Sequence, residues 1–65
     1  MKIIVNGEAQ ETSSSTLAAL LDGLGKGEAK VATSVNEAFV SKPQRASHTL
    51  QDGDRVEIVA PRQGG

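Results

Sequence analysis

Lys2-Ile3-Ile4-Val5-Asn6-Gly7-Glu8-Ala9-Gln10-Glu11-Thr12 decides how this chain begins to fold. Lys2 to Val5 is largely apolar and β-branched, and it runs straight into Asn6-Gly7. Both of those residues tolerate positive φ, which a type I′ turn requires at its two central positions. Met1–Val5 is therefore expected as a strand and Glu8–Thr12 as its antiparallel return. The return is nearly all polar, as suits an edge strand, where charge discourages wrong pairing. The first strand is apolar on both faces, so it belongs in the interior of a sheet.

Beyond the hairpin, Ser13-Ser14-Ser15-Thr16 leads into Leu17, Leu20, Leu21 and Leu24. Their i, i+3, i+4, i+7 spacing puts these leucines on one helical face. Ser15 or Ser14 is the expected N-cap. Gly23 and Gly25 end the helix, with Gly25 in the left-handed position after the cap. So short a helix depends on packing against the sheet. Burial of its leucines, at ~1.5–3 kcal/mol each, supplies much of the core.

Lys26–Lys30 is a polar connection. Val31-Ala32-Thr33-Ser34-Val35 alternates, with Val31, Thr33 and Val35 on one face. Asn36-Glu37 is a turn, and Ala38-Phe39-Val40 a brief strand, with Phe39 expected to cap the core. Ser41–Thr49 shows no clear period and should cross the surface, anchored by Leu50. Gln51-Asp52-Gly53-Asp54 is a tight turn in which Gly53 supplies positive φ. In Arg55–Val59, Val56 and Ile58 face inward, and Pro61, which has no N–H for the ladder, ends the strand.

The order is strand, strand, helix, strand, short strand, strand. This is an α+β domain over residues 1–60: a mixed sheet of four to five strands with one main helix on one face. If the first and last strands lie side by side in parallel, the fold is a β-grasp, as in ubiquitin. Residues 61–65 then form a flexible tail ending in Gly64-Gly65. The other face of the sheet is uncovered. Ile4 and Val59, opposite in phase to the inward residues, fall on it as a candidate docking patch.

Composition narrows the function. The chain has 65 residues, a net charge of −1 and a single aromatic residue. That argues against nucleic acid, which calls for a basic surface and stacking platforms. There is no cysteine, so no thiol of this chain can act as nucleophile or metal ligand. No charged-then-apolar leader and no membrane-length apolar run is present, and a soluble, cytoplasmic protein is expected. His48 is the only histidine and has no evident catalytic partner. Asp52-Gly53-Asp54 lacks the remaining ligands of a calcium loop, and no metal site is expected. An enzyme in its own right is therefore not expected. What remains is the chain end. Glycine enters narrow channels, and a terminal glycine presents its α-carboxylate with the least bulk.

The whole chain resembles the ThiS family of sulfur-carrier proteins, which serve thiamine thiazole biosynthesis. The likeness rests on Ile3-Ile4-Val5-Asn6-Gly7, Thr16-Leu17-Ala18-Ala19-Leu20-Leu21 and Val35-Asn36-Glu37-Ala38-Phe39-Val40. It continues through His48–Ile58 to the terminal Gly64-Gly65. The resemblance implies that the Gly65 carboxylate is adenylated by an E1-like (ThiF-like) partner, which uses ATP and Mg²⁺. A sulfur-donor protein then turns the adenylate into a thiocarboxylate, and the sulfur passes to a ThiG-like thiazole synthase. Gly64, Gln63 and Arg62 would occupy the partner's channel, with Arg62 placed to meet acidic groups there. No cofactor would be bound by this chain, and the free chain is expected to be a monomer. Family members often carry a proline and an arginine after the middle strand, followed by a tryptophan. Here the run is Ser41-Lys42-Pro43-Gln44-Arg45-Ala46, without an aromatic. Carriers for molybdopterin or cysteine synthesis share the fold and the terminus, as does a protein modifier joined to lysines. A β-grasp adaptor that binds and never reacts is the alternative of a different class. Length and the Gln51–Ile58 stretch favour thiamine.

Overall fold

The computed structural model describes residues 1–60. The Asn6-Gly7 turn forms as its chemistry requires, with φ of 50° and 86°. It joins β1 (Lys2–Val5) to β2 (Glu8–Glu11) in antiparallel register, Val5 opposite Glu8. Helix α1 (Leu17–Gly23) follows, then β3 (Ala32–Val35), β4 (Ala38–Val40), a 3-10 helix (Lys42–Ser47) and β5 (Arg55–Val59). The sheet order is β2-β1-β5-β3-β4. β5 runs parallel to β1 and antiparallel to β3. The first and last strands are thus neighbours at the centre of a mixed sheet.

The core lies between α1 and one face of that sheet. Ile3, Val5, Val35, Val40 and Val56 meet Leu17, Leu20 and Leu21, and Leu50 closes the cluster. Leu24 and Ile58 pack against it, partly buried. The helix ends in a Schellman motif. Gly25 (φ 77°) donates to the Asp22 carbonyl at 3.0 Å, and Lys26 N–H to that of Leu21 at 2.8 Å.

The structure corrects four sequence expectations. The N-cap is Thr16, whose hydroxyl accepts from Ala19 N–H at 3.2 Å, rather than Ser14 or Ser15. The serines are held elsewhere: the Ser15 carbonyl accepts from Leu50 N–H at 2.9 Å, and Thr16 bridges to Thr49. Helical geometry therefore starts one residue later. β3 begins at Ala32, whose partner Val59 is the last residue of β5, and the Val31 carbonyl accepts instead from the Arg45 guanidinium at 2.7 Å. The Ser41–Thr49 crossing contains an ordered 3-10 helix, opened by Ser41 N–H donating to the Gln44 side chain at 3.3 Å. Phe39 does not cap the core; it is 70% exposed. β4 pairs with β3 so that Phe39 stands opposite Ser34, which points away from the core, while Val40 stands opposite buried Thr33.

Candidate functional site: the central strand and the open sheet face

Arg62, Gln63, Gly64 and Gly65, expected to carry the chemistry, lie outside the described residues. What the structure gives is the strand that precedes them. β5 is third of five, so both of its edges are bonded. At its start, Asp54 accepts from Gln51 N–H at 2.8 Å and from the Asn36 side chain at 2.9 Å. Asn36 also accepts from Arg55 N–H at 3.0 Å. Asp52 accepts from Lys2 N–H at 2.7 Å. The two carboxylates of Asp52-Gly53-Asp54 are thus committed to holding strands together. At the far end, the Asn6 carboxamide accepts from Ile58 N–H at 2.8 Å and donates to the Ile58 carbonyl at 3.2 Å. Asn6 thereby extends the parallel ladder with a side chain, where the backbone of β1 has already turned away. The chain beyond Val59 continues from a strand that is bonded along both edges.

The helix-free face carries Ile4, Arg55, Glu57 and Val59, with Ala32, Ser34 and Phe39 across the ladder. Ile4 and Val59 share this face, but not side by side. Ile4 is half-buried and stands opposite Arg55. Val59 is 60% exposed and stands opposite Ala32, four positions further along β5. Val59 has Ala32 beside it on β3, whereas Phe39 stands on β4, opposite Ser34 and on the far side of β3. The exposed large apolar side chains of this face are thus Phe39 and Val59, on either side of β3, while Ile4 is half-buried. The size of Phe39 suggests a core residue, and its register places it on the open face. Register would have found it: a two-residue Asn36-Glu37 turn forces Val35 opposite Ala38 and Phe39 opposite Ser34.

His48 is half-buried, and its carbonyl accepts from Leu17 N–H at 3.0 Å. Among the described residues no group of three or more metal-ligating side chains comes together. No helix there is long and apolar enough to cross a membrane.

Parallel β1 and β5 at the centre of a mixed sheet, with one helix across one face, define a ubiquitin-like β-grasp domain. The crystal structure of the thiamine biosynthesis protein ThiS from Geobacter metallireducens superposes over the full length of both chains, with a TM-score of 0.85 and 26% identity. The ThiS family model matches residues 3–65, and the chain belongs to that family. It is 32% identical to the sulfur carrier protein ThiS of Escherichia coli, over all of both chains. It is also 44% identical to the thiazole synthase of Paramagnetospirillum magneticum and 42% to that of Magnetococcus marinus. The chain spans only 20% and 18%, respectively, of the length of those two relatives.

Proposed function

We propose that this chain is a sulfur carrier for thiazole formation in thiamine biosynthesis, with the sulfur borne on the Gly65 α-carboxyl carbon. The observation that carries this reading is the end-to-end match with the Escherichia coli sulfur carrier. The chemistry agrees with it. A chain without cysteine cannot relay sulfur on a thiol of its own, which leaves a carboxylate as the carrier group. The carbon of a carboxylate is a poor electrophile until one oxygen becomes part of a good leaving group. In the proposed cycle a Gly65 oxygen attacks the α-phosphorus of ATP, held with Mg²⁺ by an E1-like, ThiF-like enzyme, and pyrophosphate leaves. A persulfide sulfur of a donor protein then attacks the carbonyl carbon and AMP leaves; a thiol cleaves the resulting S–S bond, is itself taken into a disulfide with the donor sulfur, and the thiocarboxylate is freed. A ThiG-like thiazole synthase accepts that sulfur. Support for this acceptor comes from the relatives named thiazole synthase, which hold the matching segment inside a much longer chain.

In this reading the chain is a co-substrate rather than a catalyst, and it works in the cytoplasm, where ATP is available. Gly64, Gln63 and Arg62 thread the activating enzyme, and the surface around Phe39 and Val59, with Ile4 at its edge, rests against it. The test is intact-mass spectrometry after incubation with the cognate activating enzyme, ATP and a sulfur source. Replacement of one terminal oxygen by sulfur is expected, and its absence under all three additions would sink the proposal.

A further inference from the structure

Arg45 is 6% exposed, yet no carboxylate among the described residues neutralises it. The ion pairs among the described residues join the Met1 amino group to Glu11 and Arg55 to Glu37. Arg45 Nε donates to Thr33 Oγ1 at 3.0 Å and Nη2 to the Val31 carbonyl at 2.7 Å. The Thr33 hydroxyl in turn donates to the Val40 carbonyl at 2.9 Å. These bonds use the Nε–Nη2 edge of the planar guanidinium and fix its orientation. The Nη1–Nη2 edge is left over. Every buried side-chain nitrogen and oxygen among the described residues has a hydrogen-bond partner, so Nη1, which meets no acceptor among those residues, reaches the surface.

It does so in two adjoining depressions of about 310 and 150 Å³ that share Arg45 and Lys42. The larger is completed by Lys30 and by Ala29, Val31 and Ala32. Asp22 lines only the smaller one, beside Gly27. Three cations thus surround the larger depression with no anion in its lining. A pre-oriented guanidinium edge takes a planar carboxylate by two parallel N–H···O bonds, and little rotamer freedom remains to be lost. A buried charge without a counter-charge is costly, so an anion supplied from outside is doubly favoured. Location narrows the source. Ala32 stands opposite Val59, so the depression borders the end of β5, from which the chain runs on to residues 61–65. A site open to solvent at a strand end suits a protein segment passing over it better than an enclosed ion.

We propose that this depression docks an acidic segment of a partner protein, with an aspartate or glutamate carboxylate held end-on by Arg45 between Lys30 and Lys42. The inference rests on the carrier reading only in assigning that segment to the enzyme that receives the chain end. Binding itself is tested without activation, so the two can fail separately. The isotope-labelled full chain is titrated by NMR with an acetylated, amidated tetraglutamate peptide, with its tetraglutamine counterpart, and with inorganic phosphate. The tetraglutamate peptide is expected to shift the Arg45 Nε–H signal and the amides of residues 29–32. Tetraglutamine should leave them in place. Lys30→Glu and Lys42→Glu should each weaken binding severalfold, as should added salt. These lysine variants keep the Arg45 bonds to Thr33 and Val31, and the unbound Arg45 signal reports that they are folded. No shift with tetraglutamate, equal shifts with tetraglutamine, or undiminished binding in both lysine variants would overturn the proposal. Saturation by phosphate at lower concentration than by peptide would make this a small-oxyanion site and overturn it equally.

Discussion

Asn6 and Asn36 adopt nearly the same left-handed conformation, φ 50° and 52°, and each turns its carboxamide onto β5. Asparagine is among the few residues that tolerate this region, so turn and clamp come from one side chain. Asn6→Ala loses two hydrogen bonds at about 0.5–1.5 kcal/mol each and adds a left-handed penalty of about 1–2 kcal/mol. Asn6→Gly loses the bonds but escapes the penalty. Urea unfolding should rank the wild type above Asn6→Gly and Asn6→Gly above Asn6→Ala; equal midpoints for the two variants would refute this account of the turn. Glu37 is the converse case, holding φ 72° with no amide to gain by it. Its ion pair with Arg55, at 3.7 Å between well-exposed side chains, is worth little. Glu37→Gly should therefore raise stability, by about 0.5–1 kcal/mol once the added chain entropy is counted. The Asn6-Gly7 turn was legible because turn chemistry is local. The second use of Asn6 was not, since Ile58 lies 52 positions away.

The elements themselves were largely legible, and the misreadings share a cause. The leucine spacing marks α1, and the Schellman glycine marks its end, because both signals lie within one or two turns of the chain. Its start is set by contacts with residues 48–50 instead, which no local pattern records. Phe39 shows the same thing in β4: its residue type suggests the core, and its register puts it outside. Phe39→Ser should accordingly change stability by less than about 0.5 kcal/mol, as surface substitutions do. A core phenylalanine cut back to a small side chain costs about 3–5 kcal/mol. Denaturant unfolding separates these values easily, and a loss in the larger range would place the ring in the core after all. Leu17 and Leu21 are the contrast, 0% and 2% exposed between helix and sheet. Either leucine cut to alanine should cost about 2–5 kcal/mol. A domain of this size has roughly 3–10 kcal/mol in total. Thermal unfolding followed by circular dichroism should then show a midpoint lowered by at least about 8 °C.

At the scale of the molecule, β5 ties together the two halves of the fold, pairing with β1 on one side and β3 on the other, and its far end leads to the residues proposed to react. A domain built this way can separate holding a partner from presenting a chain end, and two variants test that separation. Phe39→Lys with Val59→Lys puts two charges on exposed positions of the open face, where the cost to folding is small. Desolvating those charges against an apolar partner surface is expensive, so the pair should bind the activating enzyme at least tenfold more weakly. At saturating concentration it should still yield thiocarboxylate, because the carboxylate is intact. Deleting Gly65 should do the opposite. The β-grasp domain, whose buried core lies between Ile3 and Val56, should unfold at an unchanged midpoint. It should also compete with the wild type for the enzyme, while forming no thiocarboxylate at any concentration. Isothermal calorimetry and intact-mass spectrometry on the same samples give both readouts. Normal binding by the double lysine variant would remove the open face from the interaction, and thiocarboxylate on the truncated chain would remove Gly65 as the acceptor.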